Sequence, residues 1–182
     1  MRIIAGEFRS RRLKTLSGLG LRPTPDRLRE TLFNILAPHI DGAVFLDAYA
    51  GTGAVGIEAL SRGAARTIFI EKHRAAVRVI QENLASLGIG KQATLVSGSV
   101  IPSLASHPAD IVFLDPPYDL DHEYGGALNL LSQIGAVLVV AQHSVRLPLA
   151  QDFGRLLRFR VVKQGDNALS FFAPKPEAIQ SL

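Results

Sequence analysis

The stretch of sequence that decides the fold is residues 44–56, which read VFLDAYAGTGAVG. An apolar run leads into a turn that contains Gly51 and Gly53, and helix-forming residues follow. Glycine permits a positive φ and lets a ligand approach the backbone closely, while the amides at the start of a helix face that ligand. Asp47 ends the apolar run, at the edge where open α/β sheets bind ligands. We therefore predict a strand, a turn and a helix around a site whose carboxylate suits a cationic group.

A second acid follows the next predicted strand. Residues 67–70 are apolar or β-branched, and Glu71 comes directly after them, 20 residues after Gly51. A carboxylate at this place can accept hydrogen bonds from two ribose hydroxyls. A purely structural interpretation is also open, because an acid favours the positive end of the helix predicted over 73–87. Taken with the glycine turn, which alone could be a plain tight turn, Glu71 favours the ligand-binding interpretation.

The most specific motif is Asp115-Pro116-Pro117-Tyr118, which follows the apolar residues 111–114. The two prolines fix φ and have no N–H group, so the turn is stiff. Such a turn can hold the Asp115 carboxylate and the Pro116 carbonyl together as acceptors for one planar –NH2 group, and Tyr118 could stack on the ring that carries it. A rigid loop with an incidental acid is the alternative. We predict that these residues form the catalytic corner.

The remaining sequence indicates an α/β fold. Apolar runs alternate with helical patterns, which is typical of a mostly parallel sheet with helices on both faces. Near the end, alternating residues 157–161 and the run 168–173 flank a turn and predict an antiparallel hairpin. We predict further strands at 94–96 and 136–141, and helices at 24–38, 55–60 and 121–133, with Thr24 as the N-cap of the first helix.

Composition excludes several function classes. The chain has 182 residues, which suggests one domain, and no cysteine, which excludes disulfides, thiolate metal sites and cysteine nucleophiles. The five histidines lack ligand spacing, so we expect no metal. The apolar runs are too short to span a membrane and the N-terminus has no signal-peptide core, so we expect a cytoplasmic protein.

Positive charge is concentrated at the N-terminus. The formal net charge is +4, and residues 1–30 contain eight basic and three acidic residues. Such asymmetry indicates an arm for polyanions, although a solvated basic surface that binds nothing gives the same pattern. We divide the chain into a basic hairpin or arm at 1–22 and a domain at 23–182. The residues of this region that are candidates for contacts with the phosphates of a polyanion are Arg9, Arg11, Arg12, Lys14 and Arg22.

Together these motifs resemble the Rossmann-like class I methyltransferases that use S-adenosylmethionine and modify exocyclic amines. Three stretches narrow the resemblance to the RsmD-like family: residues 1–13 (MRIIAGEFRSRRL), 21–36 (LRPTPDRLRETLFNIL) and 45–64 (FLDAYAGTGAVGIEALSRGA). The resemblance implies methylation of N2 of a guanine in the 16S ribosomal RNA of the small subunit. It also implies a sheet of seven strands, the last antiparallel, with the cofactor across the carboxyl ends of the first strands.

The same resemblance implies roles for individual residues. Asp47, Ala48, Gly51 and Gly53 would line the methionine end of the cofactor, and Glu71 would hold its ribose. Ser99 stands where many relatives carry Asp or Asn for the adenine amine, so the adenine contact is a departure from the family pattern. Thr24, in the segment Arg22-Pro23-Thr24, would help to close over the cofactor and the target base.

Other functions remain open from the sequence. A DNA methyltransferase acting on adenine N6 or cytosine N4 would use the same Asp-Pro-Pro-Tyr chemistry, although the small chain leaves no extra domain to read DNA sequence. A non-enzymatic RNA-binding assembly factor on the same fold is the second alternative. A dehydrogenase would leave Asp115-Pro116-Pro117-Tyr118 unexplained. We expect a monomer that acts on 16S RNA or on an assembling small subunit.

Overall fold

The computed structural model describes residues 1–16, 24–117, 122–135 and 138–176. Within these ranges it has an eight-stranded sheet with helices on both faces. Two predicted site residues, Arg22 and Tyr118, lie outside the described residues.

Helices and strands alternate along most of the described chain. The helices are α1 (Asp26–Ile40), α2 (Ala54–Ser61), α3 (Arg74–Ser86), α4 (Val100–Leu104) and α5 (His122–Ile134). The strands are β1 (Val44–Ala48), β2 (Arg66–Glu71), β3 (Ala93–Ser97), β4 (Ile111–Leu114), β5 (Leu138–Ser144), β6 (Asp152–Phe153), β7 (Leu156–Gln164) and β8 (Asn167–Pro174).

The strand order is β3-β2-β1-β4-β5-β8-β7-β6. Strands β1 to β5 pair in parallel, whereas β8 pairs antiparallel with both β5 and β7. The carboxyl ends of the five parallel strands therefore lie at one edge of the sheet. The order in which strands are added reverses at β1, because β2 and β3 lie on one side of it and β4 and β5 on the other. Ligands of open α/β sheets bind at such an edge. The predicted fold class and the C-terminal antiparallel hairpin are confirmed.

Three local predictions need correction. The sheet has eight strands in the described residues rather than seven, because the two-residue β6 is too short for any sequence pattern to show. The short helix α4 escaped prediction for the same reason. Helix α1 runs past Pro38 to Ile40, because the Ile40 side chain is buried against the apolar core and that packing outweighs the local proline signal.

Thr24 does not cap α1. The N-cap residue is Pro25, and no side-chain hydrogen bond caps this helix start. The Thr24 hydroxyl instead donates to Oδ2 of Asp115 at 3.5 Å. A threonine before Pro-Asp has the sequence signature of an N-cap, but here its hydroxyl bonds to Asp115, which is distant in sequence.

Residues 1–14 form a hairpin that packs against the sheet domain. Arg2 and Arg12 form an isolated antiparallel bridge, and Ile3 and Leu13 are buried with apolar residues of α2 and α3. The fully buried Glu58 accepts hydrogen bonds from the backbone N–H groups of residues 4 and 5 at 2.8 and 3.0 Å. The hairpin is thus fastened by a buried carboxylate as well as by apolar contacts.

A buried arginine completes this attachment. Arg29 of α1 has no exposed side-chain surface, and its Nη2 donates to the Arg2 carbonyl at 2.6 Å. Its Nε lies 3.7 Å from Oε2 of Glu58, and burial lowers the pKa of Arg29 while the charges of Glu58 and Asp26 oppose that effect. Removing one partner would leave the other charge buried and uncompensated, which is strongly destabilising. This pair therefore fixes where the basic hairpin sits.

Candidate active site

A cavity of about 940 Å³ lies at the carboxyl ends of the parallel strands. Its walls come from the turns that follow β1, β2, β3 and β4, from the end of β5 and from the start of β8. Thr15 and Leu16, which directly follow the N-terminal hairpin, and Thr24, which lies just before α1, also line the cavity. The cavity therefore joins the predicted cofactor site, the predicted catalytic corner and the end of the basic hairpin.

The glycine turn after β1 has the backbone that its sequence predicts. Gly51 has φ of 54° and Gly53 has φ of 77°, both in the left-handed region that favours glycine. Gly53 also precedes the first residue of α2, so the amides of that helix start beside the turn. Gly51 lies in the cavity wall, whereas Gly53 is buried behind it against Ile80 and Phe69. The turn exposes backbone to the cavity as a ligand-binding turn would.

Glu71 braces the glycine turn from the neighbouring strand. Its Oε2 accepts a hydrogen bond from the N–H of Gly51 at 2.8 Å, and its Oε1 accepts one from the N–H of His73 at 2.7 Å. The second bond lies at the start of α3, where the structural interpretation expects an acid. Glu71 also lies in the cavity wall, and an ionised carboxylate offers about four lone-pair positions, so acceptor capacity remains for a ligand.

Asp47 sits beneath the same turn. It is 2% exposed, and its Oδ2 accepts a hydrogen bond from the N–H of Gly56 at 2.8 Å. This bond satisfies one of the free N–H groups in the first turn of α2. Burial, and secondarily the charge of Glu71, raises the pKa of Asp47 to about 7, although the bond from Gly56 opposes the shift. A cation bound beside Asp47 would favour its ionised form.

Asp115 lies across the cavity, one residue after β4. Burial first, and then the charge of Asp47, raises the pKa of Asp115 to about 7, while the hydrogen bond from Thr24 opposes the shift. Pro116 and Pro117 also line the cavity, and Pro116 is buried. The described part of the predicted catalytic corner thus faces the same space as the glycine turn.

The other predicted cofactor residues differ in position. Ser99 lies in the cavity wall just before α4, is exposed, and makes no side-chain bond that caps that helix. Ala48 is fully buried inside the sheet, where it pairs with Ile70 and Leu114, and it is not among the wall residues. Ala48 therefore supports the turn from below.

The predicted RNA-contacting residues of the hairpin are all exposed in its described part. Arg11 donates from Nη2 to the Ser86 carbonyl at 2.8 Å, and Lys14 forms an ion pair with Glu82 at 2.9 Å. Both partners belong to α3, so these two side chains also fasten the hairpin. Arg9 and Arg12 are exposed on the same hairpin.

The buried Asn83 connects the hairpin to the glycine turn. Its Oδ1 accepts from the N–H of Lys14 at 2.8 Å, and its Nδ2 donates to the carbonyls of Lys14 at 3.2 Å and Thr52 at 3.1 Å. The exposed basic residues and the cavity wall are therefore joined by one side-chain amide. No sequence pattern singled out Asn83, since it reads as an ordinary residue of an amphipathic helix.

Sequence reasoning missed one whole wall of the cavity. Gln142, His143 and Asn167 line it beside Asp115, and all three are more than nine-tenths buried. Tyr49 also lines it, with a positive φ of 72° and a hydroxyl that donates to Glu123. The available signal was topological: β5 neighbours β4, so polar residues at its carboxyl end had to lie close to Asp115.

Neither a metal-binding cluster nor a membrane-spanning helix occurs in the described residues. No group of three or more His, Cys, Asp or Glu side chains among them is arranged to hold a metal ion. None of the helices in this part of the chain is long and apolar enough to cross a membrane.

Comparison with known proteins agrees with the geometry of the cavity. The profile of the family called "Conserved hypothetical protein 95" matches residues 1–173. The chain belongs to this family. One relative, "Ribosomal RNA small subunit methyltransferase D" of Escherichia coli strain K12, is 49% identical to this chain over 120 residues. That alignment covers 65% of this chain and spans 60% of the length of the relative. The resemblance of this family member to RsmD-like proteins is thus confirmed.

Two solved structures extend the comparison. The structure described as "Putative methyltransferase yhhF from Escherichia coli" is 34% identical, with a TM-score of 0.84, and the match covers 97% of this chain and 99% of that one. An RNA methyltransferase from Salinibacter ruber, in complex with S-adenosyl-L-homocysteine, has a TM-score of 0.67 at 19% identity. That match covers 88% of this chain and 100% of the other, and it shows a shared fold.

Proposed function

We propose that this member of the Conserved hypothetical protein 95 family transfers a methyl group from S-adenosylmethionine to N2 of a guanine in 16S ribosomal RNA of the small subunit. The observation that carries the proposal is the shared cavity of Asp47, Glu71 and Asp115, with a glycine turn on one side and the Asp-Pro-Pro corner on the other. The 49% identical relative from Escherichia coli, a ribosomal RNA small subunit methyltransferase by name, supports it.

The wall residues fit the chemistry of that cofactor. Its methionine end carries a cationic ammonium and sulfonium, and Asp47, a buried carboxylate in the cavity wall, would favour a cation bound there. Its ribose carries two hydroxyls, and Glu71 retains lone pairs in the cavity wall. A cavity of about 940 Å³ has room for a nucleoside and a target base together. Ser99 can offer a hydroxyl where the family pattern leads one to expect a carboxylate or an amide.

The residues at the catalytic corner orient the amine. Guanine N2 is a weak nucleophile because its lone pair is delocalised into the ring. Asp115 and the Pro116 carbonyl can accept its two N–H groups, which turns the lone pair outward and favours the positive charge that develops on nitrogen. The protein would contribute to the rate mainly by positioning N2 for attack on the methyl group.

Asp115 can also receive the proton that N2 loses. When bound, S-adenosylmethionine supplies a methyl whose bond to sulfur breaks, with its electron pair returning to sulfur, as N2 forms the new N–C bond. The methylated amine is acidic at that moment, so a carboxylate with a pKa near 7 is a sufficient acceptor. Thr24 donates to Asp115 and holds one oxygen, which leaves the other for the amine.

The basic hairpin would hold RNA beside the cavity. Arg9, Arg11, Arg12 and Lys14 are exposed and can contact phosphates, and Thr15 and Leu16 follow directly into the cavity wall. The target base must leave its stack to enter the cavity, at a cost of a few kcal/mol.

The decisive experiment combines genetics with mass spectrometry. Nucleosides and oligonucleotide fragments of 16S RNA from cells with and without the gene are compared, and purified protein is then supplied with labelled S-adenosylmethionine and small subunits from the deleted strain. We expect one guanine to lose N2-methylation on deletion and to regain it from the purified protein. Labelling of adenine N6 or cytosine N4 in DNA would favour the DNA methyltransferase, and no cofactor binding by calorimetry would favour a non-enzymatic assembly factor.

A further inference from the structure

One buried acceptor in the cavity wall has no hydrogen-bond partner in the described part of the chain. Gln142 is 6% exposed and lines the cavity, and its Oε1 has no hydrogen-bond partner among the residues that the structure describes. A buried acceptor without a partner is costly and uncommon in folded proteins, so its presence at a ligand site calls for a ligand donor.

The register of the sheet places Gln142 beside Asp115. Strands β4 and β5 are parallel neighbours, and Leu114 pairs with Ala141. Asp115 and Gln142 each follow that pair by one residue, so the parallel register brings both residues to the same end of the sheet. Both line the cavity.

The backbone at Gln142 is fixed, while its amide retains freedom. Gln142 pairs with Leu169 of β8, and its carbonyl accepts the hydroxyl of Tyr124. The neighbouring His143 is already engaged, since its Nε2 lies 2.8 Å from the Ser170 hydroxyl. The terminal torsion of a glutamine is broad, so the amide can turn toward a base held at Asp115.

We propose that Gln142 determines specificity for guanine by accepting the N1–H group of the target base. This inference rests on the proposed function, because it assumes that the amine of the base is held at Asp115 and Pro116. The N1–H group of guanine is the donor next to N2, and it would meet the unpartnered Oε1.

The same arrangement disfavours the competing amines. If adenine placed N6 at Asp115, its neighbouring N1 would be a bare acceptor facing Oε1. If cytosine placed N4 there, its neighbouring N3 would be a bare acceptor too. With Oε1 toward such a base, two acceptors would face each other and repel. With Nε2 offered instead, Oε1 would stay buried without a donor, as it is in the present structure of the described residues, so only guanine removes that cost. Guanine alone among these bases satisfies both positions.

A substrate analogue tests this contact. 2,6-Diaminopurine keeps the N2 amine but has no hydrogen on N1. Small subunits are reconstituted with 16S RNA that carries guanine or 2,6-diaminopurine at the methylated position. The ratio of kcat/KM for the two substrates is measured for the wild type, Gln142→Leu and Gln142→Glu, and the affinities of the same particles are compared without cofactor.

We expect the wild type to prefer guanine by about ten- to a hundredfold, the range for one hydrogen bond to a buried acceptor. Gln142→Leu should bring the ratio to within about twofold of one, since that change removes the acceptor. Gln142→Glu, assayed at a pH high enough to ionise the new carboxylate, keeps an acceptor without a donor and should retain the preference. Competition binding should follow the same order.

The outcomes separate this inference from the proposed function. If the wild type methylates no guanine, the proposed function fails. If the wild type methylates guanine but Gln142→Leu keeps the full preference, or Gln142→Glu loses it, this specificity role is wrong and the methyltransferase stands. Equal rates on guanine and 2,6-diaminopurine by the wild type would also reject the role of Gln142.

Discussion

The two sides of the cavity satisfy their polar groups in different ways. On the side of β1 and β2, Asp47 and Glu71 accept hydrogen bonds from backbone N–H groups at 2.7 to 2.8 Å. On the side of β4 and β5, Asp115 accepts a 3.5 Å bond from Thr24, and the Oε1 of Gln142 has no partner in the described chain. On the first side both carboxylates are held by short bonds from backbone N–H groups, whereas on the second side the acceptors have a long bond or no partner within the described residues.

This difference matches two kinds of task. A cofactor of constant structure is bound best by a rigid site, because less conformational freedom is lost on binding. A target base must be recognised by its own N–H groups, and unsatisfied acceptors discriminate between bases more sharply than apolar walls do. The comparison predicts that substitutions on the first side change cofactor affinity and those on the second change turnover and base choice.

The largest expected effect follows from Asp115→Ala. We expect turnover to fall at least about a hundredfold, because the amine loses an oriented acceptor, while affinity for S-adenosylmethionine changes little. Single-turnover rates and calorimetry measure the two quantities. The exposed Glu30→Ala is a matched control on α1 that should leave both unchanged. Equal single-turnover rates for Asp115→Ala and the wild type would remove Asp115 from the mechanism.

Glu71→Gln should lower cofactor affinity and leave turnover nearly unchanged, the reverse of Asp115→Ala. Glutamine keeps the size of the side chain but replaces one of the two oxygens that accept from Gly51 and His73 with a donor. We expect cofactor affinity to fall about tenfold and the free energy of unfolding to fall by about 1–2 kcal/mol, with turnover at saturating cofactor nearly unchanged. Calorimetry, a urea melt and kinetics at saturation measure these effects. A large loss of turnover with normal affinity would contradict the division between the two sides.

The next prediction concerns pH. The folded pKa of Asp47 is raised to about 7, above its ordinary value of 3.8, so between those limits the folded state binds more protons than the unfolded state. The free energy of unfolding should therefore fall as pH rises from about 4 to about 7, and this contribution should level off above 7. Asp47→Asn has no such titration, so we expect it to gain stability relative to the wild type over the same range.

Urea melts at pH 5 and pH 8 measure this effect. In the Asp47→Asn variant the pKa of Asp115 loses the contribution of the Asp47 charge but stays raised by burial, so part of the decline should remain. The double variant with Asp115→Asn should show the flattest profile. If Asp47→Asn and Asp115→Asn, each made singly, follow the wild type in parallel across the range, the two acids are not protonated near neutral pH in the folded protein.

How much the sequence predicts also differs between the two sides. Gly51, Asp47 and Glu71 could be found because they lie within one strand-turn-helix unit and the strand beside it, where local spacing carries the information. Gln142 contacts the same cavity only because β5 pairs with β4, which no local pattern encodes. Thr24 shows the reverse error: its local pattern predicts a helix cap, but its partner Asp115 is 91 residues away. The positions of Gln142 and the partner of Thr24 depend on contacts between distant parts of the chain, which short sequence motifs do not encode.

The smallest expected effect concerns the basic hairpin. Asn83 joins Lys14 of the hairpin to Thr52 of the glycine turn. The exposed arginines of the hairpin take no part in this link, so we expect their removal to weaken RNA binding and to leave cofactor binding unchanged. Neutralising Arg9, Arg11 and Arg12 to Ala should flatten the slope of log affinity against log salt by about 2, since each phosphate contact contributes about 0.7 to 0.9. Cofactor affinity should stay constant.

Filter binding of small subunits over a salt series, with calorimetry of the cofactor beside it, measures both quantities. The matched control neutralises Arg66, Lys91 and Arg155, which are exposed at the opposite edge of the sheet, at the starts of β2, β3 and β7. Because net charge falls equally in the two variants, a general field effect would lower both slopes alike. A drop confined to the hairpin variant identifies phosphate contacts at that surface, whereas unchanged slope there would leave the hairpin with a structural role and place the RNA elsewhere.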